Sequence, residues 1–73
     1  MHYYRYMYQT EDGSFQSCDQ AFESDTQARV NVFTWYINRQ HIVALWLFRF
    51  DTLDTAGTMK LIDKLERPSI IHF

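Results

Sequence analysis

The stretch HYYRYMYQTEDGSFQSCDQAF, residues 2–22, reads as two strands joined by a tight turn. Residues 2–9 are rich in tyrosine, whose ring packs well on a pleated surface. Glu11-Asp12-Gly13-Ser14 follows, and Asp-Gly is among the strongest short hairpin signals because both central positions tolerate positive φ. With Asp12 and Gly13 as a two-residue loop, the antiparallel register sets Met7 opposite Cys18 and Tyr3 opposite Phe22, while Tyr8, Tyr6 and Tyr4 oppose Ser17, Asp19 and Ala21. The first set is then the core side. The other face presents three tyrosines in a row to small or polar partners.

Working outward, Ser24-Asp25-Thr26-Gln27 matches a capping box, in which the serine oxygen and the glutamine side chain satisfy orphan N–H groups at a helix start. The body of that helix, residues 27–40, places Ala28, Val32, Trp35 and Tyr36 on one side, with Val30, Phe33 and Ile37 adjoining them. Propensity alone would also score 30–37 as strand; the cap and the spacing decide for helix. After the polar break Asn38-Arg39-Gln40-His41, residues 42–50 (IVALWLFRF) are apolar at almost every position, as in a central strand covered on both faces. Asp51 to Gly57 is a turn-rich connector. Asp54 or Thr55 caps a second helix in which Met59, Ile62 and Leu65 share a face and which Pro68 ends. The rival reading turns at Ala56-Gly57 into a strand over 59–65. Residues 69–73 form a short edge strand. The order is β-β-α-β-α-β, or β-β-α-β-β under the rival reading, and the fold class is α+β: a small antiparallel-rich sheet of three to four strands packed by one or two helices.

Seventy-three residues make one domain, and a chain this short buries only about 60% of the surface its unfolded form exposes. A core of that size supplies roughly 3–5 kcal/mol net, so a partner would add usefully to stability. Cys18 is the only cysteine, which closes the internal disulfide route. The opening Met1-His2-Tyr3-Tyr4-Arg5 lacks the apolar core of a secretory leader, and the longest apolar run, 42–48, is far short of the ~20 residues that span a bilayer. These features point to a reducing cytoplasm without membrane contact. A net charge of −2 argues against bulk attraction to phosphate backbones. Aromatic residues at 18%, beside two glycines and one proline, exclude disorder.

No chemical motif stands out. His2, Cys18, His41 and His72 lack the paired spacing of a zinc site, so neither metal nor cofactor is expected. Cys18 lies between Ser17 and Asp19 with no base or electropositive neighbour in the sequence, and reads as a small core residue rather than a nucleophile. Asp51, Asp54, Glu11, Asp12, Asp63 and Glu66 fall at turns or on a solvated face, and Gly13 and Gly57 are too far apart for a phosphate loop. The chain is therefore expected not to be an enzyme. Tyr4, Tyr6, Tyr8, Arg5 and Arg49 together resemble base-stacking RNA-binding sheets. Acidic net charge, the missing glycine-aromatic signature and Asp19 among the rings disfavour nucleic acid as the partner.

What remains is a surplus of apolar side chains. Strand 42–50 offers Ile42, Ala44, Trp46, Phe48 and Phe50 on one face and Val43, Leu45 and Leu47 on the other, while helices cover only one side. An exposed apolar patch larger than a few hundred Å² usually marks a partner surface, and Tyr, Trp and Arg dominate interface energetics. Tyr4, Tyr6, Tyr8, Arg5, Trp46, Phe48 and Arg49 are accordingly the expected partner-binding residues. The bland alternatives are a sheet that curls on itself or a C-terminal segment folding over the face, and a homodimer hides the same patch.

By length, by its tyrosine-rich opening hairpin (HYYRYMYQTEDGSF) and by its want of any catalytic motif, the chain resembles small phage-encoded host-takeover proteins, such as the Xanthomonas phage regulators of bacterial RNA polymerase. The resemblance spans the whole chain in size and style and transfers no residue-level role. It implies a non-enzymatic protein that binds host RNA polymerase, inhibits promoter initiation and promotes read-through of terminators. Anti-CRISPR and other anti-defence inhibitors share the same outward look.

Overall fold

A computed structural model describes residues 1–50 and 59–67. Among these residues four antiparallel strands form one sheet in the order β2-β1-β3-β4, with a single helix, α1, on one face. The elements are β1 (His2–Thr10), β2 (Phe15–Phe22), α1 (Asp25–Ile37), β3 (Ile42–Phe50) and β4 (Lys60–Glu66). The expected class therefore holds at the level of a small α+β fold. No helix among the described residues is long and apolar enough to cross a membrane.

The hairpin forms where expected, but its loop differs. Gly13 N–H donates to the Thr10 carbonyl and Thr10 N–H to the Ser14 carbonyl, both at 2.9 Å, and Gly13 has φ of 89°. This is a three-residue loop, a type I turn closed by a left-handed glycine, rather than a two-residue one. Asp12 braces it, its Oδ1 accepting from Ser14 N–H and the Thr10 hydroxyl. These bonds hold the Asp12 carboxyl down to about 2. One extra loop residue moves the register by one: Tyr8, Tyr6 and Tyr4 oppose Gln16, Cys18 and Gln20, and Met7 opposes Ser17. Because side chains alternate with period two, the faces exchange their expected roles. The three tyrosines point at the helix, and Tyr3, Arg5 and Met7 point away.

The helix starts as its cap predicts, with the Ser24 hydroxyl accepting from Gln27 N–H at 3.1 Å. The Gln27 side chain reaches back one residue further than a standard box, to Glu23 N–H. Ala28, Val32 and Tyr36 are buried, Phe33 and Trp35 half-buried, and Val30 and Ile37 lie in solvent. The core forms between this helix and the sheet: Tyr4, Tyr6, Phe22, Ala28, Val32, Tyr36, Ile42, Leu45 and Leu47. Ile42 joins Leu45 and Leu47 instead of the Trp46 face because pairing with β1 shifts between Gln9 and Thr10. A bulge re-aims side chains in this way by adding one unpaired residue.

The second expected helix is absent over 60–66, where β4 pairs with β3. Its proposed cap at Asp54 or Thr55, the Asp51–Gly57 connector, the Ala56-Gly57 turn and the edge strand at 69–73 lie outside the described residues. Arg67, just beyond β4, ties that strand to the helix end. Its guanidinium donates to the carbonyls of Ile42, Tyr36 and Arg39 and stacks over the Tyr36 ring at 4.3 Å, while its N–H donates to Val43. The Tyr36 carbonyl belongs to the last turn of α1, where intrahelical partners run out.

Candidate functional site

One helix covers one face of the sheet, so the opposite face is open among the described residues. On it β1 contributes Tyr3, Arg5 and Met7, β2 contributes Phe15 and Asp19, β3 contributes Trp46, Phe48 and Phe50, and β4 contributes Leu61 and Lys64. Tyr3, Phe15 and Leu61 are exposed at 43%, 58% and 50%, and Met7, Trp46, Phe48 and Phe50 are half-buried among their neighbours. The rings touch in pairs, Phe15 with Trp46 at 6.0 Å and Tyr3 with Phe50 at 6.4 Å between centroids.

Charge is threaded through this row. The Arg5 guanidinium grips Asp19 with two bonds, 2.7 and 2.9 Å, and lies 5.5 Å from the Phe50 centroid. That grip lowers the Asp19 carboxyl and raises the Arg5 guanidinium. On the far side Lys64 sits 5.6 Å from the Trp46 centroid and pairs with Glu66 at 3.2 Å. The result is an apolar strip carrying two ion pairs, Arg5 with Asp19 and Lys64 with Glu66.

Of the residues expected to bind a partner, Arg5, Trp46 and Phe48 lie on this face. Tyr4, Tyr6, Tyr8 and Arg49 do not. Tyr4 is fully buried and Tyr6 nearly so, a correction that follows from the one-residue register change. Tyr4 OH donates to Asp25 at 2.6 Å, and burial, with Asp25 second, pushes its phenol up to about 12. Burial, then the neighbouring Cys18, raises Tyr6 likewise to about 12. Tyr6 and Tyr8 pack edge-on against Trp35, with centroids 5.2 and 4.9 Å away. Arg49 spans both oxygens of Asp25 at 3.1 and 3.2 Å. It thus neutralises the helix's first residue rather than reaching outward. The bond from Tyr4, then Arg49, lowers the Asp25 carboxyl.

Tyr3, Met7, Phe15 and Leu61 are the open-face residues that sequence reasoning missed. Tyr3 and Met7 alternate with the buried Tyr4 and Tyr6, but Phe15 and Leu61 lie beside exposed or half-buried residues, so the row is readable only once the register is fixed. Cys18, expected in the core, is exposed on β2. His2 and His41 sit at opposite ends of the β1–β3 pair, and His72 is outside the described residues. No group of three or more His, Cys, Asp or Glu among the described residues is placed to hold a metal ion. No protein-family profile, curated protein or solved structure matches the chain.

Proposed function

We propose that this chain is a non-enzymatic, protein-binding regulator that docks through its open sheet face, with bacterial RNA polymerase as its partner in a phage-infected host cytoplasm. One observation carries the docking role: the face opposite α1 holds Tyr3, Met7, Phe15, Trp46, Phe48, Phe50 and Leu61 as one half-exposed row, with Arg5 fixed among them. Aromatic and arginine side chains supply most of the binding energy at interfaces, and rings already held by neighbours lose little entropy on docking. The size and hairpin-led style of the chain support polymerase as the target, and with it inhibition of initiation and read-through of terminators.

The test is direct binding of the purified chain to bacterial core polymerase, paired with promoter-directed transcription in vitro. Wild-type protein should bind and reduce initiation. Trp46→Ala combined with Arg5→Glu should weaken binding at least tenfold with the fold intact by circular dichroism. Absence of binding sinks the polymerase assignment; binding unchanged in the double variant sinks the assignment of the face.

A further inference from the structure

We infer that β2 is a self-pairing edge, along which two copies of this chain join antiparallel about a two-fold axis at Cys18, merging their four-stranded sheets into one continuous sheet. Among the described residues β2 stands at the end of the strand order and runs from Phe15 to Phe22. Natural edge strands are usually blunted by lysine, proline, a bulge or brevity. β2 has none of these: FQSCDQAF carries one charge, Asp19, and Arg5 already holds it. Its pairing with β1 is unbroken over its whole length. The opposite end of the described sheet shows the contrast. There β4 carries Lys60, Asp63, Lys64 and Glu66 and has a register shift at Leu47/Phe48. Nor does the helix overhang β2, because Gln16, Cys18 and Gln20 are exposed on the helix side.

The second copy is singled out as the occupant by register. The bond from Thr10 N–H to the Ser14 carbonyl makes that pair a hydrogen-bonded one, and such pairs alternate along an antiparallel ladder. Gln16, Cys18 and Gln20 therefore turn their backbone groups toward β1, and Phe15, Ser17, Asp19 and Ala21 turn theirs outward. Self-pairing must set outward residues opposite outward residues, which leaves axes at Ser17, Cys18 or Asp19. An axis at Asp19 sets carboxylate against carboxylate, which is repulsive. An axis at Ser17 shortens the overlap and puts Phe15 against Asp19 of the partner subunit. The axis at Cys18 pairs residues 15–21 in full. It sets Ser17 beside Asp19 of the partner subunit, Gln16 beside Gln20 of the partner subunit, and Phe15 beside Ala21 of the partner subunit. Each hydroxyl then meets a carboxylate, each amide an amide, and no like charges oppose. The open faces of the two copies become contiguous.

The same register makes the native thiol a reporter, because the two Cys18 residues meet in a non-hydrogen-bonded pair with Cα atoms about 4.5 Å apart, within reach of a disulfide. A single strand pair is a small interface, so association is expected in the range of weak complexes, with dimer populated at about 100 µM chain. Sedimentation equilibrium should show it. Ser17→Pro removes an outward N–H and leaves the β1 ladder whole; Gln16→Lys with Gln20→Lys brings lysine against lysine on exposed positions. Each should weaken the dimer at least tenfold while circular dichroism and polymerase binding by the monomer persist. Diamide, an azo oxidant that takes up two electrons and two protons from two thiols, should convert wild-type protein to a Cys18-linked dimer far faster than either variant. A monomer throughout, a dimer indifferent to both variants, or a populated dimer that diamide fails to link would each overturn the inference. All three outcomes are independent of whether polymerase is the target.

Discussion

The two faces of this sheet are built from alternate residues of the same strands, yet they differ in how their rings are held. On the helix side Tyr4 and Tyr6 are enclosed with Leu45 and Leu47, and the Tyr4 hydroxyl has its acceptor in Asp25. On the open side Trp46 leans on Phe15 and Lys64 and Phe50 on Tyr3 and Arg5, and both, like Phe48, stay half-exposed. Leu47 and Phe48 are adjacent in sequence and occupy opposite sides. The difference teaches that hydrophobicity alone does not say which ring is core. The described residues hold apolar material enough for two covered faces and one helix to cover them, so the register decides which row holds the fold together and which row stays open.

Adjacent truncations break the comparison most sharply. Leu47→Ala should cost about 2–5 kcal/mol, the range for emptying a fully buried site in a packed core. Phe48→Ala, next in the chain, should cost clearly less because its ring is only half enclosed, while reducing partner binding. Urea unfolding of both variants with equal slopes checks the pair. Equal losses would mean that the open face is as much core as the other.

Alkaline titration separates the faces by proton affinity. Tyr4 and Tyr6 are pushed up to about 12, so the folded chain keeps two protons that the unfolded chain releases near pH 10. Their contribution is whole below pH 10 and is lost as the pH rises through about 12, on the order of 2 kcal/mol each. Unfolding followed by circular dichroism should therefore coincide with late tyrosinate absorbance. Tyr6→Phe should make the loss of stability across that window shallower. An identical slope in that variant would remove Tyr6 from the account.

Much of this was legible in residues 2–50. Asp-Gly gave the hairpin, Ser24 and Gln27 gave the helix start, and the run 42–50, apolar at every position but Arg49, gave the inner strand. The register was not legible, because Asp12-Gly13 suits either a two-residue loop or the end of a three-residue one, and only the bond geometry around Thr10 and Ser14 separates them. A one-residue ambiguity in the loop thereby inverted the reading of the tyrosines. Over 60–66 the helical reading fails and the rival strand reading holds, for a related reason. Opposite the Leu47/Phe48 step, β4 carries one extra residue, Ile62, so Ile62 and Leu65 both pack on the core side three positions apart. That spacing imitates a helix. Arg67 left no signal at all, since its role depends on three carbonyls 25 to 31 positions earlier in the chain.

Arg67 also sharpens the contrast between side chains that close the fold and side chains that decorate the open face. Arg67→Ala leaves the Tyr36, Arg39 and Ile42 carbonyls without its guanidinium and should cost about 1–3 kcal/mol. Lys64, three residues earlier, pairs with Glu66 in solvent and rests on Trp46; Lys64→Ala should change stability by less than about 1 kcal/mol. Thermal unfolding of the two single variants suffices. If Lys64→Ala costs as much as Arg67→Ala, the open face holds structural charge that its exposure does not suggest.

The smallest effect compares the two arginine–aspartate pairs, one on each face. Arg5 and Asp19 form the better geometry, two short bonds on adjacent strands, but both side chains are more than two-fifths exposed at 41% and 49%. Arg49 and Asp25 have longer bonds at 35% and 32% exposure, and share Asp25 with the buried Tyr4 hydroxyl. Solvent screening brings surface pairs to roughly 0.2–1 kcal/mol whatever their geometry. A double-mutant cycle at each pair should therefore give a smaller coupling for Arg5–Asp19, falling further at 1 M salt, and a larger, less salt-sensitive one for Arg49–Asp25. The single variants carry the sharper reading. Asp25→Ala strips the Tyr4 hydroxyl of its acceptor inside the core and should cost more than Asp19→Ala, which exposes Arg5 to water at a position where the guanidinium can still rest on Phe50. If the order is reversed, Arg5 and Asp19 form a structural clamp between β1 and β2, and the open face then loses its one candidate arginine for a partner.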